Sequence, residues 1–204
     1  MTSTRPVSAT TQGGVAGVLA WLPSLQTALL VALPFMAAIV VAIRAISGPP
    51  VLFRQERMGL DGQRFQMLKF RTMQPNAEAK TGPRWATPDD PRRTQIGAFL
   101  RRTSLDELPQ LINVLRGEMS LVGPRPERPS FVDEFRRRVP GYMLRHKMKA
   151  GITGWAQING WRGNTSIEKR IEYDLDYIAR WSLRFDLMIL LKTLWLGFRS
   201  RNAY

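Results

Sequence analysis

A long uncharged stretch near the N-terminus limits what this chain can fold into more than any other feature of its sequence. No residue between Arg5 and Arg44 carries a charge, and residues 15–43 are largely apolar. As a helix, this stretch would be long enough to cross the hydrocarbon core of a bilayer, which is about 30 Å thick, at about 1.5 Å per residue. We therefore expect this part of the chain to lie in a membrane.

Two prolines, Pro23 and Pro34, interrupt the apolar stretch. Proline removes a helical hydrogen bond and clashes with the preceding turn, although membrane helices tolerate it. A spanning helix and a re-entrant helix therefore both stay open. A secretory signal peptide is the weakest alternative, because Arg5 makes a poor basic n-region and no clear cleavage site follows. In either case, the basic residues from Arg44 onward should keep the rest of the chain in the cytoplasm.

The composition restricts the chemistry that the chain can perform. Its 204 residues suggest one domain with an appendage, and 30 Lys and Arg against 16 Asp and Glu indicate a polyanionic partner. The absence of Cys excludes thiolate nucleophiles and thiolate metal sites, and the single His146 excludes a multi-histidine metal site. Chemistry then depends mainly on Asp, Glu, Lys, Tyr or Ser, and any divalent metal would be an oxygen-liganded ion such as Mg2+.

Downstream of the apolar stretch, local patterns predict short alternating elements. A β-hairpin is expected in residues 51–73, with Asp61 and Gly62 in its turn. A surface loop is expected in residues 74–93, and the proline-rich segment 121–129 should be extended. The stretch 181–201 is apolar but interrupted by charges, which favours a helix lying in the membrane interface or docked on the core. Helices are predicted for residues 94–102, 104–116, 131–139 and 166–180, and irregular or strand-like structure for 151–164.

The stretch TSLDELPQL, residues 103–111, allows two interpretations. Ser104 followed by Glu107 has the spacing of a capping box, and acidic residues suit the first turn of a helix. Because few other side chains in this chain could act as acid, base or nucleophile, Asp106 and Glu107 are also a candidate catalytic pair.

Four stretches occur in a fixed order along the chain: SGPPVLFRQERMGLDGQRFQMLKFRTM, FLRRTSLDELPQLINVLRGEMSLVGPRPE, KAGITGWAQINGWRG and EYDLDYIARWSLRFDLMILLKT. From about residue 25 onward, the sequence resembles the bacterial sugar transferase family, the monotopic phosphoglycosyl transferases. The resemblance implies an α/β (α+β) fold, in which a small helix-rich cytoplasmic catalytic domain with a short β-hairpin sits on an N-terminal re-entrant membrane helix with interfacial amphipathic helices. It divides the chain into a flexible tail (1–21), the re-entrant helix (22–47) and the catalytic domain (48–204).

The resemblance also implies an activity. Family members transfer a sugar 1-phosphate from a UDP-sugar to undecaprenyl phosphate and release UMP through a covalent aspartyl intermediate. This reaction is the first membrane step in the synthesis of exopolysaccharides, O-antigens and other glycoconjugates. By motif position, Asp106 is the nucleophile and Glu107 holds Mg2+. The expected location is the cytoplasmic face of the bacterial inner membrane, without nucleic acid as a partner and with a homodimer as one arrangement.

Other site residues follow from the same motifs. Lys69, Arg71, Arg101 and Arg125 are expected to bind substrate phosphates, because Arg offers a bidentate fork and Lys a point charge. Asn113, Gln157 and Trp155 are expected to support either the fold or a uridine pocket. His146 is interpreted as structural, and Asp174 as a supporting or surface residue.

The sequence departs from the family pattern at three places. WLPSLQTALL, residues 21–30, lacks the basic-basic-x-x-acid signature, and Ala150 stands where a proline is usual. GWRGNT, residues 160–165, is similar to members that transfer glucose or galactose 1-phosphate. The competing functional class is a membrane-tethered module that binds anionic lipid or nucleic acid through residues 136–138. That class gives no reason for the ordered motifs to occur together, and only the enzyme would release UMP.

Overall fold

The computed structural model describes residues 15–79, 82, 87, 90–163 and 165–197. Within these residues the chain is rich in short helices and has two small sheets, which supports the predicted α/β (α+β) class. The elements are α1 (Val15–Ser47), β1 (Leu52–Met58), β2 (Arg64–Phe70), α2 (Gln95–Arg102), α3 (Gln110–Leu115), β3 (Ser120–Val122), α4 (Pro129–Arg138), β4 (Gly151–Thr153), α5 (Trp155–Ile158), α6 (Ile167–Ala179) and α7 (Leu183–Gly197), with 3₁₀ turns at 60–62, 105–107 and 142–147.

Helix α1 is continuous through both Pro23 and Pro34. Its stretch Leu29–Ser47 has a mean hydropathy of 2.5 and is, by length and composition, able to cross a membrane. The described part of the helix runs from Val15, and residues 1–14 of the predicted tail lie outside the described residues. The division of the chain at residue 22 stays a prediction. The re-entrant path stays a prediction.

The C-terminal half of α1 packs into the domain that follows it. Ile43 is fully buried and forms an apolar cluster with Phe70 of β2 and Leu100 of α2. Nearer the middle of the helix, Ala32 packs against Leu111 of α3. The helix and the domain therefore share one core across the boundary expected at residue 48.

Arg71 fixes the end of α1 to the hairpin. Its guanidinium donates hydrogen bonds to the carbonyl oxygens of Ser47 at 2.6 Å, Gly48 at 2.7 Å and Pro49 at 3.0 Å. The last carbonyls of a helix have no partner within the helix, and a cation suits the negative end of the helix dipole. The buried Arg71 side chain thus acts as a C-terminal cap supplied by the residue that follows β2.

Arg71→Gln is expected to lower the free energy of unfolding by about 1.5–3 kcal/mol, the range for a hydrogen bond to a charged group. A glutamine amide cannot replace the guanidinium at all three carbonyl oxygens. The measurement is thermal unfolding of the detergent-solubilised protein, with Arg54→Gln as the matched control because Arg54 is exposed on β1. An Arg71→Gln protein as stable as this control would contradict the capping role.

The predicted β-hairpin is confirmed. Strands β1 and β2 pair antiparallel, with Phe53 opposite Lys69 and Arg57 opposite Phe65. Asp61 and Gly62 have φ angles of 50° and 77°, the left-handed conformation that a tight turn of this kind requires. The second sheet pairs β3 with β4 in parallel.

The predicted helices 94–102, 131–139 and 166–180 are confirmed as α2, α4 and α6. The single helix expected for residues 104–116 is wrong. Ser104 adopts a left-handed conformation, and Pro109 lies between the 3₁₀ turn 105–107 and the start of α3. Both features prevent a continuous helix, because neither residue continues the regular backbone hydrogen bonds. The described residues of the predicted loop 74–93 contain turns and one isolated bridge.

Helix α7 docks on the domain by one face. Ile189 is fully buried, and Asp186 accepts hydrogen bonds from the Tyr177 hydroxyl at 2.7 Å and from the Trp181 indole at 3.3 Å. Core docking, one of the two alternatives for this stretch, is therefore present. The exposed surface of the helix is largely apolar but also carries Arg184 and Lys192, so a location in the membrane interface stays a prediction. Its exposed apolar residues are Leu183, Leu187, Leu191, Leu194 and Trp195.

Candidate active site

A cavity of about 670 Å³ opens between the hairpin, the 3₁₀ turn 105–107 and the segment after β3. Among the described residues, eight basic and four acidic side chains line it, which suits a strongly anionic ligand. The basic residues are Arg57, Lys69, Arg71, Arg101, Arg125, Arg128, Arg162 and Arg170, and the acidic ones are Glu78, Asp106, Glu107 and Glu127.

Asp106 lies at this cavity in the 3₁₀ turn, with 7% of its surface exposed. Within the part of the chain that the structure describes, no side-chain or backbone donor forms a hydrogen bond with its carboxylate. Burial raises the pKa of Asp106, and the nearby charge of Lys69 only partly offsets this effect. The cavity therefore contains a desolvated carboxylate whose oxygens are not engaged.

Glu107, the next residue, differs from Asp106 because cations hold its carboxylate by hydrogen bonds. Its Oε1 accepts hydrogen bonds from Lys69 Nζ and from Arg125 Nη2, both at 2.7 Å, and Oε2 lies 3.3 Å from Arg125 Nη1. Burial opposes ionisation, but the charges of Arg125 and Lys69 outweigh it and lower the pKa of Glu107 well below its usual range. Two adjacent carboxylates thus have opposite environments.

The capping box predicted between Ser104 and Glu107 is wrong. The left-handed conformation of Ser104 leaves its hydroxyl without a capping hydrogen bond, and the Glu107 side chain turns to the cations instead. An ion pair with two partly buried cations is a stronger attraction than a bond to one backbone amide. The catalytic interpretation of this stretch does not depend on the cap.

Arg125 is positioned from two sides. Its Nη1 donates to Gln157 Oε1 at 3.1 Å, and its backbone carbonyl accepts a hydrogen bond from Arg145 Nη2 at 2.8 Å. Arg145 is itself paired with Asp174 at 2.6 Å, and both side chains are almost completely buried. Gln157 and Asp174 therefore support the cation beside Glu107.

The other two predicted phosphate ligands, Arg101 and Arg71, both border the cavity but make hydrogen bonds in different places. Arg101 lines the cavity near Asp106, and its Nε donates to Thr72 Oγ1 at 2.8 Å. Gly97 makes this contact possible, because a Cβ there would lie 2.0 Å from the Thr72 carbonyl oxygen. Arg71 borders the same cavity, but its hydrogen bonds go to the end of α1.

Three further predicted residues lie away from the cavity lining. Asn113 is fully buried behind β2, where it accepts from the Leu68 amide at 3.0 Å and donates to the Gln66 carbonyl at 2.8 Å. The Trp155 indole donates to Asp176 at 3.0 Å. Burial, helped by the charge of the neighbouring Arg145, lowers the pKa of His146 to about 4. All three positions fit the supporting role that the sequence allowed.

Sequence reasoning missed the ion pairs at the rest of the cavity. Arg170 Nη1 lies 2.5 Å from Glu127 Oε1, and Arg128 forms two hydrogen bonds with Glu78, at 2.8 and 2.9 Å. The partners are 43 and 50 residues apart in the sequence, so no local pattern connects them. The place of Arg57 in the cavity could have been predicted, because Arg57 alternates with Phe53 and Gln55 and therefore lies on the same face of β1 as these two residues.

The donor set at Asp106 and Glu107 is compatible with Mg2+. Both are oxygen ligands, and Glu107 Oε2 is the less engaged of the two oxygens, with one contact at 3.3 Å. The described residues contain no cluster of three or more His, Cys, Asp or Glu that could form a complete protein shell. Mg2+ commonly binds through one or two carboxylates and completes its shell with waters and substrate phosphates.

Comparison with known proteins places the chain among sugar transferases. A UDP-glucose:undecaprenyl-phosphate glucose-1-phosphate transferase of Escherichia coli K12 is 51% identical over 86% of this chain and 39% of its own length. An enzyme of the same name from Caulobacter vibrioides is 45% identical over 89% of this chain and 68% of its own length. A UDP-N-acetylgalactosamine-undecaprenyl-phosphate N-acetylgalactosaminephosphotransferase of Aeromonas hydrophila is 44% identical over 79% of this chain and 38% of its own length.

The chain thus spans about two fifths of the length of the Escherichia coli relative. The model of the family described as bacterial sugar transferase matches residues 21–200, which include most of the apolar helix, the hairpin and all the residues of the cavity. This chain belongs to the bacterial sugar transferase family.

Proposed function

We propose that this protein transfers a sugar 1-phosphate from a UDP-sugar to undecaprenyl phosphate and releases UMP. The observation that carries the proposal is the contrast between two adjacent carboxylates at a cationic cavity. Asp106 accepts no hydrogen bond from the described residues, whereas Glu107 is held by Lys69 and Arg125. A nucleophile needs unengaged oxygens, and a charge-organising residue needs fixed partners. The names of the similar enzymes support the substrates.

In the first half-reaction, a carboxylate oxygen of Asp106 attacks the phosphorus that carries the sugar. A bond forms between this oxygen and phosphorus, and the bond from phosphorus to the bridging oxygen of the diphosphate breaks. UMP leaves with the bridging oxygen and its electron pair. The product on the protein is an acyl phosphate ester that carries the sugar.

In the second half-reaction, a phosphate oxygen of undecaprenyl phosphate attacks the same phosphorus. The bond between phosphorus and Asp106 breaks, the carboxylate is regenerated, and undecaprenyl diphosphate sugar leaves. No proton has to be taken up or released in either step. This fits a cavity whose lining, in the described residues, includes no histidine.

The cations of the cavity would oppose the repulsion between the anionic reactants. Lys69 and Arg125 lie within 2.7 Å of Glu107 and can shift part of their hydrogen bonding to a phosphate. Arg101, which is held by Thr72, lines the same cavity as Asp106. Fixed charges in a partly desolvated site stabilise developing negative charge more strongly than water does. When bound at Glu107, Mg2+ would neutralise further charge on the diphosphate.

The proposed location is the cytoplasmic face of the bacterial inner membrane, with α1 as a re-entrant anchor. The apolar stretch of α1 and the exposed outer face of α7 support an association with lipid. The undecaprenyl substrate is itself a membrane lipid. We take UDP-glucose as the first donor to test, because this sugar nucleotide appears in the names of several similar enzymes.

UMP release tests the proposal directly. The detergent-solubilised protein is incubated with Mg2+, undecaprenyl phosphate and, in separate reactions, UDP-glucose, UDP-galactose, UDP-N-acetylglucosamine and UDP-N-acetylgalactosamine. We expect sustained UMP release with at least one donor, and a single burst of at most one equivalent when the lipid is omitted. A protein that binds anionic vesicles but releases UMP from none of these donors would support the tethered binding module instead.

A further inference from the structure

One face of β1 runs along the cavity, and its side chains change from apolar at one end to cationic at the other. Phe53, Gln55 and Arg57 are alternate residues of the strand, so they share a face, and all three line the cavity. The distance from Phe53 to Arg57 along the strand is about 13 Å. The cavity therefore has an apolar end and a cationic end on a single strand.

The apolar end is unusually exposed. Phe53 has 43% of its surface exposed and Leu52 has 38%, and both line the cavity together with Pro50. This end adjoins the C-terminus of α1, because Arg71, directly after the neighbouring strand β2, binds the carbonyl oxygens of residues 47–49. Exposed apolar side chains beside a lipid-facing helix are positioned to meet a lipid.

The apolar end is also next to the reacting groups. Phe53 lies directly opposite Lys69 in the hairpin register, and such cross-strand neighbours have Cβ atoms about 5 Å apart. Lys69 in turn lies 2.7 Å from Glu107. A ligand with a phosphate beside Lys69 would thus place the atoms that follow this phosphate against Phe53.

The opposite end suits a different ligand. Arg57 lies 3.7 Å from Glu127, and Arg170 approaches the same carboxylate. Arg128 and Phe131 also line this region, with the guanidinium 5.8 Å from the ring centroid. Cations with a nearby aromatic ring are typical binding partners of a phosphorylated nucleoside rather than of a hydrocarbon chain.

From this polarity we infer that Phe53, with Pro50 and Leu52, contacts the first isoprene units of undecaprenyl phosphate while the lipid phosphate lies beside Lys69. The inference rests on the proposed function and deepens it. The nucleotide then occupies the cationic end. Since the donor reacts with Asp106 first and the lipid then reacts with the adduct on Asp106, the apolar contact is needed only in the second half-reaction.

Phe53→Ser is expected to raise the KM for undecaprenyl phosphate by about tenfold, because a substantial apolar contact with the lipid is lost. The burst of UMP from UDP-sugar in the absence of lipid should change by less than about twofold, which corresponds to less than about 0.5 kcal/mol. Phe53→Leu, which keeps an apolar side chain, should restore most of the affinity for the lipid. The two half-reactions are measured separately by UMP release and by transfer of radiolabelled sugar phosphate to undecaprenyl phosphate.

Phe99→Ser is the matched control. Phe99 is 49% exposed on α2 and is not part of the cavity lining, so its replacement removes a similar apolar surface without affecting the lipid subsite. Flotation of all variants with phospholipid vesicles measures general membrane binding, which should not change. Equal slowing of both half-reactions, an equal effect of Phe99→Ser, or loss of vesicle binding by Phe53→Ser alone would each overturn the inference. Failure of the native protein to release UMP would count against the proposed function instead.

Discussion

Asp106→Asn is expected to reduce sugar-phosphate transfer by on the order of 10³-fold or more, because the amide cannot act as a nucleophile. The variant should unfold at the same temperature as the native protein or at a higher one. Burial raises the pKa of Asp106, so the ionised carboxylate is less favourable in the folded protein than in water. Replacing it with a neutral group of similar shape removes this cost.

Intact-mass analysis followed by peptide mapping, after incubation with UDP-sugar alone, checks this prediction. The native protein should gain one sugar-phosphate mass on the peptide that contains Asp106, and Asp106→Asn should gain none. Asp133→Asn is the control, because Asp133 is an exposed acid on α4. Near-normal turnover by Asp106→Asn, or turnover of the native protein without any such adduct, would contradict the nucleophile assignment.

Glu107→Gln is expected to impair transfer as well, but with the opposite effect on stability. The substitution removes the negative charge of Glu107 and leaves Lys69 and Arg125 without their shared anion in a partly buried site. Breaking a fully buried pair costs about 3–5 kcal/mol, and the 15% and 25% exposure of these side chains reduces the expected loss to about 2–3 kcal/mol. Transfer should fall by about 10²-fold or more, because a fixed electrostatic group is lost.

Thermal unfolding and UMP release at increasing Mg2+ concentration measure the two effects. Glu107→Gln should unfold at a lower temperature than the native protein and should need more Mg2+ for its residual activity. Glu134→Gln, an exposed acid on α4, should change neither quantity. If Asp106→Asn and Glu107→Gln had the same stability and the same Mg2+ response, the division of roles between the two carboxylates would be wrong.

Local signals in the sequence were sufficient for most elements. The hairpin follows from Asp61 and Gly62 between two strand-like runs. Helices α2 and α6 were predicted from their local patterns, and in the structure the hydroxyl residues Thr94 and Ser166 cap their first turns. These features depend on residues a few positions apart, which is the range that propensity and capping rules describe. The pair Asp106 and Glu107 could be selected as candidates by elimination and by resemblance.

The contacts of the site residues could not be predicted from local sequence patterns. Glu107 meets Lys69 from 38 residues away, and Arg71 reaches the end of α1 over 22–24 residues. A sequence pattern identifies a cation but not the anion or carbonyl that it will meet. For the same reason, neither the contact of Arg71 with the end of α1 nor the Glu78–Arg128 pair could be predicted.

The junction between α1 and the hairpin has a practical consequence for producing a water-soluble fragment. A cut just before Pro50 would remove Ile43 from its cluster with Phe70 and Leu100, and would take away the carbonyl acceptors of Arg71. The cavity strand β2 would then lose support on the side that packs against α1. A fragment that starts near Met36 keeps this cluster, and polar residues at the exposed Val41 and Ile46 would give it solubility without disturbing the packed face.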